Sequence, residues 1–162
     1  MKRVAANDPV AMTHIGKKHY QKGDYEGAFE YYTKAAELGD VIAHYSLSVM
    51  YQGGPGVEED LEKEVYHLVG AAIAGHLDAR SKLGCIEGRN GRFDRSVKHW
   101  IIAANLGHDE SLIELKECYA NGDVSKDDFA AALRSHQAAV DATKSPQREE
   151  AAEADAAGEL WK

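Results

Sequence analysis

The chain has 162 residues, enough for one domain, and its 44% hydrophobic and 28% charged residues exclude a disordered composition. A formal net charge of -8 repels DNA, RNA and anionic membranes, and the short basic clusters Lys17-Lys18 and Arg89, Arg92, Arg95 are too interrupted to reverse this. Two cysteines, Cys85 and Cys118, cannot build a disulfide framework or a Cys-rich zinc site, and no apolar run approaches the ~18 residues of a membrane span.

The start, MKRVAANDPV, has a basic tip with no apolar stretch behind it, so it does not read as a secretory leader; the expected compartment is cytoplasmic or nuclear. Asp8 before Pro9 predicts the N-cap and first position of an opening helix. A turn at Lys22-Gly23 follows, and Asp24 caps a second helix carrying Tyr32 and Ala35-Ala36 before Gly39. Asp40 opens a third helix, whose Ala43, Leu47 and Tyr51 recur every four residues and form one apolar stripe. After the stretch YQGGPGVEE, Asp60 caps a fourth helix with Leu68, Ala71 and Ala72, ended by Gly75.

The next stretch repeats the first. Ala79 to Gly107 matches Ala11 to Gly39: Leu83-Gly84 stands for Ile15-Gly16, Trp100 for Tyr32, and AANLG for AAELG. A fourth unit begins with Ser111, Leu115 and Tyr119 and turns at Asn121-Gly122, so the unit starts at 11, 43, 79 and 111 are spaced by 32, 36 and 32. Ser125 with Asp128 resembles a capping box. Ser145-Pro146 is expected to start a last helix, rich in Ala and Glu and exposed, with Trp161 near its end as a loose anchor or as part of a longer natural chain. Each unit reads as a helical hairpin whose Ala pair lets two backbones approach closely.

The layout A-x3-L-(G/S)-x2-Y, then G-x-G-V-x2-D-x2-K, then A-A-x2-G resembles the Sel1-like repeat, a relative of the tetratricopeptide repeat. Residues 43–75 carry it best, through Ala43, Leu47, Tyr51, Gly54, Gly56, Val57, Asp60, Lys63, Ala71, Ala72 and Gly75. The resemblance implies an all-α fold, a right-handed α-α superhelix forming a short solenoid of about four helix-turn-helix repeats plus a C-terminal helix. The expected repeats are about 8–40, 41–76, 77–108 and 109–144, making an array over 1–144 and a helix or tail over 145–162. Repeat 4 lacks the Ala-Ala-x2-Gly ending, which suits a terminal unit.

The glycine-rich stretch after Tyr51 invites a phosphate-binding reading. It lacks Gly-Lys-Ser/Thr, and Glu58, Glu59 and Asp60 would repel the ligand, so it is read as a longer connector within repeat 2. The eight histidines show no i, i+4 metal pair. His76 and His108 are expected as surface residues at helix starts, and His67 and His99 as partly buried packing residues. Cys85 and Cys118 are read as small packing residues, and the carboxylate pairs as solvated. No cofactor, metal or catalytic residue is expected, and the chain is not read as an enzyme.

In proteins with this resemblance, the first helices line a concave groove that holds a peptide or helix of another protein. Residues two before and two after the structural apolar position are the candidates: Thr13 and Lys17, Tyr45 and Val49, Ser81 and Cys85, Ile113 and Glu117, with Gln52 and Arg89 at the rim. The expected function is a non-catalytic scaffold or adaptor with a protein or peptide partner, and with neither nucleic acid nor membrane. A second reading makes the chain the partner-recognition part of a larger RING-type ubiquitin ligase, with the zinc module outside this sequence.

Overall fold

A computed structural model describes residues 8–159, with side chains for 8–144. It contains eight α-helices and, among the described residues, no strand: α1 (Pro9–Gln21), α2 (Tyr25–Glu37), α3 (Val41–Tyr51), α4 (Leu61–Ile73), α5 (Leu77–Arg89), α6 (Phe93–Asn105), α7 (Asp109–Asn121) and α8 (Lys126–Glu159). No helix is long and apolar enough to cross a membrane among the described residues. The chain divides inside α5 into two compact units, Met1–Ile86 and Glu87–Lys162.

The helix boundaries follow from local chemistry. Asp8, Asp24, Asp40 and Asp60 cap α1 to α4, each carboxylate accepting backbone N–H groups of the first turn. Ser125 Oγ accepts the N–H of Asp128 at 3.1 Å, the N-cap half of the expected capping box, while the Asp128 carboxylate accepts the Ser125 hydroxyl at 2.6 Å. Gly39 and Gly107 adopt φ of 84° and 92° just past α2 and α6, a left-handed conformation that costs other residues strain.

In the first unit the small residues set how closely the helices lie. Ala28, Ala35 and Ala43 have no exposed surface, and they pack with Tyr32, Leu47 and Met50 across α2 and α3. Gly16 on α1 allows the ring of Tyr32 to approach; a Cβ there would sit 2.9 Å from two of its ring atoms. A second cluster joins Leu68, Ala71 and Ala72 of α4 to Ala79, Leu83 and Ile86 of α5.

The second unit has its own core. Trp100 and Ala104 of α6 meet Leu115 of α7, Val124 of the following turn and Ala132 of α8. Trp100 occupies the repeat position of Tyr32 and Leu68, and all three are buried. His136 of α8 donates from Nε2 to Asp109 Oδ1, at the start of α7, at 2.9 Å.

One boundary differs from expectation. No separate helix starts at Ser145-Pro146; α8 runs without interruption to Glu159. Ala residues on both sides of the proline, and Glu residues after it, have high helix propensity, so the helical run continues through it. Trp161 lies outside the described residues.

Candidate functional site

The long connector of repeat 2 is a steric device. Gly56 has φ of 84°, and a Cβ there would lie 2.4 Å from Cβ of Tyr25. Val57 packs on the α2–α3 core, and the N–H of Asp60 bonds the carbonyl of Tyr51 at 3.0 Å. Glycine serves close approach here, which accounts for its abundance without a phosphate.

A cavity of about 180 Å³ in the first unit carries expected site residues. It is lined by Tyr20 of α1, Tyr32 of α2, and Tyr45, Ser46 and Val49 of α3. Tyr45 is held by two contacts. Its ring stacks on His76 with centroids 4.2 Å apart, and Lys82 Nζ lies 5.3 Å from the ring centre. That same ammonium donates to Gln52 Oε1 at 3.0 Å. Burial raises the Tyr45 phenol above the ordinary tyrosine range, and the nearby Asp78 charge adds to this. Burial likewise raises Tyr32, opposed by its hydrogen bond with Ser46. Both phenols therefore stay neutral near pH 7 and offer hydroxyls and apolar ring faces.

The expected groove residues divide by burial. Tyr45 and Val49 are half-buried at the cavity, and Lys17, Gln52 and Cys85 are exposed in the same unit. Thr13 and Ser81 are buried and offer a partner little surface. Thr13 turns inward because its hydroxyl bonds Asp40, the cap of the next repeat. Arg89, Ile113 and Glu117 are exposed on the second unit. Sequence spacing missed Tyr20, Tyr32 and Ser46, because the two-residue offset does not reach the end of α1 or the second helix.

Two other expectations change. His76 and His108 are not surface residues: His76 is half-buried and His108 is 9% exposed. Each is an N-cap, with Nδ1 accepting the N–H of Ala79 at 3.3 Å and of Ser111 at 3.2 Å. An imidazole nitrogen replaces the aspartate oxygen of the other caps, and its ring fills space a carboxylate would leave. Cys85 is exposed rather than a packing residue, whereas Cys118 is half-buried and burial pushes its thiol up, away from nucleophile chemistry.

A second cavity, about 300 Å³, lies between α2, α3 and α4 and includes Glu37, His44, Tyr66 and His67. The two imidazoles face each other, Nδ1 to Nδ1, at 3.0 Å, and His67 also stacks on Tyr51. Burial, then the His44 charge, lowers His67 to about 4. Among the described residues no group of three or more His, Cys, Asp or Glu side chains is arranged to hold a metal ion.

Comparison with known proteins agrees with the repeat pattern. Residues 9–40, 41–68 and 82–108 match the Sel1 repeat. A solved Sel1 repeat protein from Oxalobacter formigenes superimposes with a TM-score of 0.69 at 28% identity, over 83% of this chain and 58% of that one. The mouse protein named DAP3-binding cell death enhancer 1 is 25% identical over 86% of this chain. A segment covering 37% of this chain is 35% identical to Helicobacter pylori HcpC, whose name carries the word beta-lactamase, over 21% of that protein. The chain spans only 35% of the length of the mouse relative.

Proposed function

Because the chain belongs to the Sel1 repeat family, whose repeats mediate protein–protein interaction, we propose that it is a non-catalytic scaffold that holds a peptide or helix of a partner protein at Tyr45 and Val49. The observation that carries this reading is the tyrosine-lined cavity. Tyrosines held by stacking and burial are already ordered, so binding costs little side-chain entropy there. At about 180 Å³ the cavity is smaller than the roughly 300 Å³ at which small-molecule clefts begin. One partner side chain fits it better than a cofactor does. The mouse relative is named for binding a protein, and by that likeness the partner class is taken to be protein. Lys17, Gln52 and Cys85 are the proposed further contacts on the first unit, with Arg89, Ile113 and Glu117 as exposed contacts on the second. The proposed setting is cytoplasm or nucleus, where both thiols stay reduced.

The test is affinity capture with the full chain, followed by mass spectrometry, beside the variants Tyr45→Ala and Val49→Glu. Both variants should lose the same partners while keeping helical circular dichroism. Partners retained at wild-type levels by both folded variants would sink the reading.

A further inference from the structure

The charges of the first unit are sorted by helix. α1 carries Lys17 and Lys18 and no acid, and α3 carries no charged residue at all. α5, up to Ile86, has Arg80 and Lys82 against Asp78. The alternate helices are acidic: α2 has three glutamates and one lysine, and α4 has two glutamates and one lysine.

Pairing follows the same division. On the acidic helices, Lys34 Nζ meets Glu30 at 2.5 Å and Lys63 Nζ meets Asp60 at 3.1 Å. Lys17, Lys18 and Lys82 have no carboxylate partner among the described residues, and Lys82 is held only by the neutral Gln52 and the Tyr45 ring. Arg80 is committed to the carbonyl of Ala72 at 2.8 Å. A chain of net charge -8 thus leaves cations without a carboxylate partner on α1, which supplies Tyr20 to the cavity, and on α5, whose Lys82 lies against the ring of Tyr45.

We propose that the partner segment is an acidic peptide that places one aromatic or leucine side chain in the tyrosine-lined cavity, with Asp or Glu residues on either side reaching Lys82 and Lys17-Lys18. The assignment rests on the interaction reading above and adds its chemistry. Charge complementarity decides between peptide classes, because the acidic helices α2 and α4 and the overall negative charge disfavour an acidic ligand on those helices. A basic peptide would meet like charges at the cavity and would be drawn to α2 and α4 instead.

The experiment is selection of a random peptide library on the immobilised full chain, followed by affinity measurement by fluorescence anisotropy. Enriched peptides should carry Asp and Glu around an aromatic residue or leucine. Their affinity should drop about tenfold in Lys17→Glu/Lys18→Glu and in Lys82→Glu, and should weaken as salt rises. Lys17 and Lys18 are exposed, so that double variant keeps its fold, which circular dichroism checks. Enriched peptides that are neutral or basic, yet lost in Tyr45→Ala, overturn the acidic assignment and leave the interaction reading standing. Acidic peptides indifferent to the lysine variants overturn it equally. Peptides that bind Tyr45→Ala as well as wild type, or no enrichment at all, defeat both.

Discussion

Thr13 Oγ1 on α1 donates to Asp40 Oδ1 at 2.8 Å, and that same oxygen accepts the N–H of Ala43 at 2.7 Å. One carboxylate thus starts a helix in the second repeat and ties down a hydroxyl of the first. Thr13→Val removes the donor and keeps the shape, and should cost about 1 kcal/mol. Asp40→Ala loses the cap and strands the buried hydroxyl, at about 2 kcal/mol. The double variant should cost less than the two single changes together, because Val at 13 leaves nothing to strand. Urea denaturation of the four proteins measures the coupling; strict additivity would show the bond to be inert.

His67 gives the first unit a pH dependence of identifiable origin. Its folded pKa, about 4, is below the ordinary 6.5, so the unfolded chain takes up this proton first as pH falls. The stabilisation is complete above 6.5 and is lost as pH drops from 6.5 toward 4, by on the order of 2 kcal/mol. The carboxylates of Asp24, Asp60, Glu30 and Glu87 are all lowered by hydrogen bonds, so their contributions are lost at more acid pH, below the ordinary carboxylate range. The two windows are separable. His67→Gln should flatten the melting temperature between pH 6.5 and 4 and leave the acid limb in place. An unchanged slope in that window would assign it elsewhere.

Gly56 is required twice over, by its φ of 84° and by Tyr25 Cβ at 2.4 Å from where its own Cβ would be. Gly56→Ala should destabilise by about 2–3 kcal/mol, since both the backbone and α2 must yield. Gly23 also has positive φ but meets nothing within 4 Å, so Gly23→Ala should cost only about 1 kcal/mol. Thermal melts of the two variants test the difference. Equal losses would mean that contact with Tyr25 plays no part.

Ala104 has no exposed surface and lies in one cluster with Trp100 and Leu115. Ala104→Trp should cost at least ~3 kcal/mol, because the added ring has no room short of separating α6 from α7. Near-ultraviolet circular dichroism and a melt should show lost tertiary packing. Wild-type melting would contradict the repeat register, and so would the equivalent outcome at Ala36.

The register was readable because it rests on small residues. Only small residues suit a close backbone crossing, so Gly16, Ala35-Ala36, Ala71-Ala72 and Ala103-Ala104 mark the packing in the sequence itself. The aspartate caps were equally plain. The surface was harder to read. A two-residue offset from the apolar position selected Tyr45 and Val49, which line the cavity, and also Thr13, which a residue 27 positions later turns inward. Tyr20 and Tyr32 enter the cavity from other helices, and only three-dimensional packing brings them beside Tyr45. The exposed lysines were visible singly; their unpaired state was not, because ion pairing depends on which carboxylates the fold brings near.

The histidine caps are the feature least visible in sequence, and His108 tests them. Its Nδ1 accepts both the N–H and the hydroxyl of Ser111, while Nε2 faces Glu110 at 3.3 Å. An acceptor at Nδ1 requires the tautomer with its proton on Nε2. His108→Ala removes the cap and leaves Ser111, which has no exposed surface, without its imidazole acceptor, so about 2 kcal/mol should be lost. His108→Asn restores an acceptor of suitable reach but not the ring, and should recover about half of that loss. If capping were irrelevant and only ring volume mattered, His108→Phe would match wild type and His108→Asn would match alanine. Denaturation midpoints of the three variants decide between these orders.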